Sequence, residues 1–409
     1  MSIKKTIRQV ADTIGIKGEL KKEQINAIKD GLEGQDLFMI APTSFGKSAI
    51  FQILAIMEGE LTIVIVPTLS LLHDQVDQLQ QRQLSVGALA SDCMSYDEFC
   101  IQRALKQYGY LILYTTPESL WKLDLSDIPV SLLVVDECHC VTSWGYGFRA
   151  AYLEIGDFLK QLPRRPQVVA LTATAPVSDR EKIKELLHMK HIKEHEISLY
   201  RPKLTFSVYS FVSEEKRQKE LKRLLKQYSK SGDGSCIIYC ITRAQTKEIY
   251  DLVKKWYPKQ VSICHSNLSN GERKRNEQAF MSGERRIMVA TSAFGMGVNK
   301  SDVRLIIHYN LPLSIIDYYQ QAGRAGRDGG KARCILLYRK SDYDFNRWVI
   351  EQNQDPAALE HSLRALDEMK EYADDEKGCM VQRMLLALGE KLDKPCGRCT
   401  YCQKARRHK

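Results

Sequence analysis

Asp36-Leu37-Phe38-Met39-Ile40 runs directly into Ala41-Pro42-Thr43-Ser44-Phe45-Gly46-Lys47-Ser48, and an apolar helical stretch follows. A short, uniformly apolar run of this kind predicts a strand covered on both faces. The loop after it ends in Gly-Lys-Ser at the start of a helix, the strand–loop–helix order that a phosphate-binding loop requires. In such a loop, backbone N–H groups and the helix N-terminus point at the phosphates. Lys47 is placed to reach the β- and γ-phosphates, and the Ser48 hydroxyl to coordinate Mg²⁺. Ala41 stands where such loops usually have their first glycine, with Ser44 and Phe45 where two glycines are common. A chance Gly-Lys-Ser in a turn is the competing explanation, and a matching acid motif downstream weighs against it.

That acid motif closes another apolar run. Residues 131–135 lead into Asp136-Glu137-Cys138-His139. Two acids there place carboxylates at the carboxyl edge of a parallel sheet, where open α/β folds bind ligands. Asp136 is expected to hold Mg²⁺ directly or through water, and Glu137 to orient or deprotonate an attacking water. Two acids capping a helix start are the plainer alternative. Residues 141–149 then bring Trp144, Tyr146, Phe148, two glycines and Arg149 into nine positions. Aromatic faces stack on bases and Arg pairs with phosphate. The segment is therefore expected to sense nucleic acid; a loop pinned to the core by Trp144 is the alternative.

Strand-like runs at 61–66, 110–114 and 167–172 join these two in the first half, with a helix predicted over 70–81. A charged helix at 214–230 and a breaker at 231–234 precede a restart of the pattern. Runs at 235–240, 260–265, 286–292, 304–309 and 332–338 read as strands. Two tandem α/β units are the simplest organisation. Residues 341–409 carry no strand pattern; helices are predicted around 359–366 and over 380–388.

Cys379 is followed by sixteen residues and then by Cys396-Gly397-Arg398-Cys399-Thr400-Tyr401-Cys402. Four thiolates at this spacing suit tetrahedral Zn²⁺, and complete coordination makes the metal structural. Buried free thiols plus a disulfide are the alternative, against which stand three evenly spaced cysteines in a basic tail. The other eight cysteines read as core or near-core residues. So dilute a cysteine content fits a reducing cytosol.

Composition sets the outer limits. The 409 residues include 60 Lys plus Arg against 50 Asp plus Glu, a formal charge of +10 that suits an anionic partner. Proportions of 44% apolar and 27% charged exclude a wholly disordered or fibrous chain. No run approaches the roughly 20 apolar residues of a membrane span. The N-terminus lacks the apolar centre of a secretion signal. A cytoplasmic protein without a membrane partner is expected, in a bacterial cytosol or nucleoid.

With these motifs in order, the chain resembles the RecQ family of DNA helicases in helicase superfamily 2. The shared features are the loop at 41–48, Asp136-Glu137-Cys138-His139, the aromatic-rich segment at 141–149 and Leu171-Thr172-Ala173-Thr174-Ala175. In the second half they are residues 290–300, Tyr318-Tyr319-Gln320-Gln321-Ala322-Gly323-Arg324-Ala325-Gly326-Arg327-Asp328-Gly329, and the cysteine set. The resemblance implies an α/β fold of two tandem RecA-like parallel-sheet domains, 1–204 and 205–340, followed by a small helical zinc-binding domain at 341–409. It implies an ATPase that works at the interface of the two RecA-like domains, with ATP, Mg²⁺ and structural Zn²⁺ as cofactors. The motor would move 3′ to 5′ on single-stranded DNA and separate duplexes, in DNA repair and recombination.

By the same resemblance, Lys47, Asp136, Glu137, Arg324 and Arg327 carry catalysis. Gln24, Thr43, Ser44, Gly46, Lys47, Ser48, Asp136 and Gln320 bind ATP and Mg²⁺. His139, Trp144, Phe148, Arg149, Thr172 and Thr174 couple the nucleotide to DNA, and Cys379, Cys396, Cys399 and Cys402 hold zinc. Gln24 is expected on the adenine edge through its amide. Lys17 stands at the family's adenine-stacking position, Lys21 replaces an arginine, and Tyr146 and Gly147 replace a histidine and an aspartate. Expected partners are single-stranded and partial-duplex DNA, with single-strand-binding or repair proteins, and a monomer is expected. The family continues past the zinc site into a winged helix, whereas this sequence stops seven residues beyond Cys402. The expectation is a short form whose ATPase and strand binding outlast its unwinding. The alternatives are an ATP-switched single-strand-binding translocase with little unwinding, and an RNA helicase of the same superfamily.

Overall fold

The computed structural model describes the chain apart from residues 1–2, 17, 44, 93–96, 144–149, 233, 293, 295–299, 353–355, 376 and 408–409. It divides into two compact units, Met1–Leu199 and Tyr200–Lys409.

The first unit is built on a seven-stranded sheet. Its strands are β1 (Leu37–Ile40), β2 (Glu60–Ile65), β3 (Val86–Leu89), β4 (Tyr110–Thr115), β5 (Val130–Asp136), β6 (Gln167–Thr172) and β7 (Lys193–Glu196). They lie in the order β3-β4-β2-β5-β6-β1-β7, and every pairing is parallel. Strands β1, β2 and β5 are buried almost throughout because helices cover both faces. Helix Lys47–Glu58 buries Ile50, Phe51, Ile53 and Leu54 against Leu37, Met39, Val64, Tyr114 and Val134. Each such side chain contributes about 1.5–3 kcal/mol of apolar transfer, which fixes the helix whose first turn carries Lys47 and Ser48.

The second unit carries six parallel strands: β8 (Leu204–Ser210), β9 (Ser235–Tyr239), β10 (Val261–Cys264), β11 (Ile287–Ala290), β12 (Val303–His308) and β13 (Ala332–Tyr338). Their order is β10-β11-β9-β12-β13-β8. Helix Glu214–Ser231 starts where the Ser213 side chain accepts from the Lys216 N–H and stops at Gly232, whose φ is +72°. Beyond β13 every described element is helical: Lys340–Glu351, Pro356–Asp374, Met380–Ala387 and Thr400–Arg407. Two RecA-like parallel-sheet domains followed by a small helical region are thus present, as the sequence implied. Among the described residues no helix is long and apolar enough to cross a membrane.

Three strands escaped the sequence reading: β3, β7 and β8. One cysteine expectation is corrected. Cys100 lies exposed on helix Glu98–Tyr108, whose buried position is Ile101. Cys93 lies outside the described residues. Cys138, Cys140, Cys236, Cys240, Cys264 and Cys334 are buried.

Candidate functional site

Sheet order brings three of the sequence motifs to one edge of the first unit. Strands β5, β6 and β1 are neighbours, with Asp136 in register with Leu171 and Ile40 with Thr172. The carboxyl ends of these strands therefore present 136–139, 171–175 and 41–48 side by side.

The loop after β1 is held from outside. Gln24 is buried on helix Lys22–Leu32. Its Oε1 accepts from the Lys21 N–H at 2.8 Å, and its Nε2 donates to the carbonyls of Phe45 at 3.2 Å and Gly46 at 3.1 Å. Its amide thus braces the loop. Lys21 adds a 3.1 Å bond from Nζ to the Phe45 carbonyl and sits 4.3 Å over the Phe45 ring. Gly46 has φ +91°, and a Cβ there would fall 2.7 Å from Gln24 Nε2, so the position favours glycine on two counts. Lys47 Nζ donates to the Ala41 carbonyl at 3.1 Å, curling over the loop. Thr43 lies half-buried in the loop and Ser48 half-buried in the first helical turn; Ser44 lies outside the described residues.

At the end of β5 the chain turns sharply. Glu137 adopts φ +53°, a left-handed conformation that costs a non-glycine residue roughly 1–2 kcal/mol. Its N–H donates to Asp136 Oδ1 at 3.0 Å. Burial, and then the Glu137 charge, push the Asp136 carboxyl up to about 7, while Lys47 pulls it down. A buried acid that is costly to ionise alone is the group that a cation relieves.

His139 joins this turn to the next motif. Thr172 Oγ1 donates to the Thr174 carbonyl at 2.8 Å and accepts from the Thr174 N–H at 3.1 Å. Its 2.9 Å contact with His139 Nδ1 therefore needs a proton on Nδ1. Glu137 Oε2 lies 3.5 Å from the same nitrogen. Thr172, Thr174 and His139 are all buried. Trp144, Phe148 and Arg149 lie outside the described residues.

In the second unit, helix Ile315–Ala322 carries Gln320 and leads into the loop with Arg324 and Arg327, both half-buried. Arg201 braces that loop by donating to the carbonyls of Gly323 at 3.4 Å and of Ala325 and Gly326 at 3.0 Å. Gly326 has φ +58°, and a Cβ would meet the Gly330 carbonyl oxygen at 2.5 Å. Asp328 pairs with Arg304 at 2.5 Å and accepts from the Gly330 N–H at 2.9 Å. Behind the helix, the fully buried His308 donates from Nε2 to Gln321 Oε1 at 3.0 Å, because an amide oxygen only accepts and Nε2 must therefore carry the proton. Burial pushes His308 down to about 3.

The four cysteines of the C-terminal region converge. One ligand atom from each of Cys379, Cys396, Cys399 and Cys402 lies within 4.8 Å of the others. The Cys379–Cys399 and Cys396–Cys402 sulfur separations are 3.9 and 4.0 Å. Tetrahedral Zn–S bonds of about 2.3 Å require edges of about 3.8 Å, whereas a disulfide needs about 2.05 Å. The N–H of Cys396 donates to Cys379 Sγ at 3.2 Å, and those of Arg398 and Cys399 to Cys396 Sγ at 3.4 and 3.3 Å. Such donors stabilise thiolate charge. The residues fit a structural zinc ion, and the disulfide alternative does not hold.

The sequence reading missed Arg201 and His308 as supports of the second-unit loop. Both act through tertiary packing, for which spacing gives no signal.

Comparison with known families matches residues 21–183 to the DEAD/DEAH box helicases, 216–329 to the helicase conserved C-terminal domain and 340–403 to the RecQ zinc-binding region. The chain is 34% identical over 377 residues to the ATP-dependent DNA helicase RecQ of Bacillus subtilis, covering 91% of this chain and 62% of that protein. It is 32% identical over 358 residues to the probable ATP-dependent DNA helicase RecS of the same organism, covering 86% and 71%. Among solved structures, Mss116p bound to ssRNA and AMP-PNP superposes with a TM-score of 0.68 at 17% identity, covering 94% of this chain and 88% of that one. This last likeness concerns the fold.

Proposed function

The chain belongs to the RecQ family of helicases, and on that footing we propose that it hydrolyses ATP to translocate 3′ to 5′ along single-stranded DNA and unwind duplexes. The observation that carries this reading is the shared edge of β5, β6 and β1, where Asp136 and Thr172 end two neighbouring strands and Lys47 opens the helix that follows the third.

Lys47 exchanges the Ala41 carbonyl for the β- and γ-phosphates, and the N–H groups at the start of helix Lys47–Glu58 receive the phosphate oxygens. Thr43, Ser44 and Gly46 shape that cradle, and Gln24 fixes it; to read the adenine edge its amide exchanges a bond to the Phe45 or Gly46 carbonyl for one to the base. Mg²⁺, when bound, neutralises phosphate charge, and Asp136 with Ser48 fits it: a buried carboxylate and a hydroxyl on one loop edge. Glu137, held in its strained turn, orients the attacking water and takes its proton. Arg324 and Arg327 present forked donors to the charge that develops on the transferred phosphoryl. Gln320 binds nucleotide beside them.

His139, Thr172 and Thr174 form the link through which the state of Glu137 reaches the DNA-sensing segment with Trp144, Phe148 and Arg149. Binding to DNA weakens with salt, as phosphate neutralisation releases counterions. Proteins that coat single strands or repair DNA are the expected partners, and the cytosol or nucleoid the expected compartment.

A strand-displacement assay with ATP tests the proposal. Release of the short strand from a 3′-tailed DNA duplex, without release from a 5′-tailed one, is expected. Release only from RNA-tailed duplexes, or none with ATP hydrolysis intact, contradicts it.

A further inference from the structure

We infer that Tyr239 is a positioning residue for Arg324, tying that arginine through one hydroxyl to the backbone carbonyl of Phe294. The inference rests on the reading that Arg324 acts on the transferred phosphoryl.

Tyr239 is the last residue of β9 and is 3% exposed. Its hydroxyl donates to the Phe294 carbonyl at 3.2 Å and accepts a hydrogen bond from the Arg324 side chain. A phenol has one proton to give and lone pairs to receive, so it serves both partners at once. The ring is held as well. It stacks on His308 with centroids 5.4 Å apart and an interplanar angle of 26°. His308 in turn bonds Gln321, three residues before Arg324, and meets the Tyr318 ring edge-on at 4.8 Å. Phe294 is itself buried and packs on Phe280 with ring centroids 5.8 Å apart.

The consequence is geometric. A long arginine side chain loses rotamer freedom when it is placed, and a donor–acceptor already held in place lowers that cost at the moment of reaction. Burial raises the Tyr239 phenol, and Arg324 with Arg327 lowers it, so the hydroxyl keeps its proton and continues to donate to Phe294. The hydroxyl thereby couples the position of the Arg324 side chain to that of the Phe294 carbonyl.

Tyr239→Phe removes the hydroxyl and leaves the ring. The experiment measures ATP turnover on oligo(dT) for the wild type, Tyr239→Phe, Arg324→Ala and the double variant, with a melting midpoint for each. Tyr239→Phe is expected to lower kcat about tenfold with KM for ATP kept within about twofold, the pattern of an interaction made in the transition state. In the Arg324→Ala background the same change is expected to have no further effect. Unchanged kcat in Tyr239→Phe, a rise in KM alone, or losses that multiply in the double variant overturn the inference. A general loss of folded protein also multiplies in both backgrounds and counts against it. If Arg324→Ala turns over like the wild type, the role given to Arg324 itself fails, a result distinct from failure of Tyr239 alone.

Discussion

His139 Nδ1 stands 2.9 Å from Thr172 Oγ1, joining the acid motif after β5 to the end of β6. The contact is buried, and the Thr172 hydroxyl is engaged on both sides by Thr174. Changing Thr172 to Val keeps the shape and removes every one of these bonds. Losing these bonds in a buried site costs about 1–3 kcal/mol. The expected outcome is a lower melting midpoint and a loss of stimulation by single-stranded DNA that exceeds the loss of basal ATP turnover. Equal stimulation in both proteins removes the coupling role.

Gly326→Ala should damage the second unit where it matters for Arg327. The position has φ +58°, and the added Cβ lies 2.5 Å from the Gly330 oxygen. Conformational strain alone is about 1–2 kcal/mol, and the carbonyl must also move. Turnover is expected to fall with the DNA-binding constant kept. Turnover equal to that of the wild type shows that the loop conformation is dispensable.

Cys399→Ser should cost the chain its zinc. The wild type is expected to carry one zinc ion per chain by metal analysis, and the variant markedly less, because the tetrahedron loses a thiolate. Melting of the second unit should shift down while the first unit keeps its own transition. A variant that retains full zinc, or a wild type that binds none, contradicts the four-cysteine assignment.

Acid should destabilise the second unit through His308. Burial holds it at about 3, against an ordinary value of 6.5. The unfolded chain therefore binds a proton, and the folded chain does not, between those values. Stability from this source is complete above about pH 6.5 and is lost as pH falls towards 3. Melting midpoints of His308→Gln are expected to fall less steeply than those of the wild type between pH 7 and pH 5. Parallel slopes assign the acid sensitivity elsewhere.

Much of the architecture was legible because it is written in apolar runs. Residues 36–40, 131–136 and 235–240 are covered on both faces, so their hydrophobicity marks them without any alternation. The four zinc cysteines were legible for a similar reason, since thiolate spacing is a local property. Strand β7 escaped because its sequence, Lys193-Glu194-His195-Glu196, is polar and sits at the sheet edge, paired only with β1. Strand β8 is also an edge, half-buried along much of its length. Cys100 shows the limit of composition: cysteine is usually buried, yet helix Glu98–Tyr108 turns this one outward. Gln24 was found by sequence, but not its grip on the Phe45 and Gly46 carbonyls. The bonds of His139, Tyr239 and Arg201 are likewise set by tertiary packing, which no local pattern encodes.

The most direct test of the motor reading is ATP hydrolysis by the wild type and Lys47→Ala, each with and without single-stranded DNA. The account predicts DNA-stimulated hydrolysis by the wild type and a loss of at least about a hundredfold in the variant, with the melting midpoint retained. Hydrolysis by Lys47→Ala at the wild-type rate would contradict it.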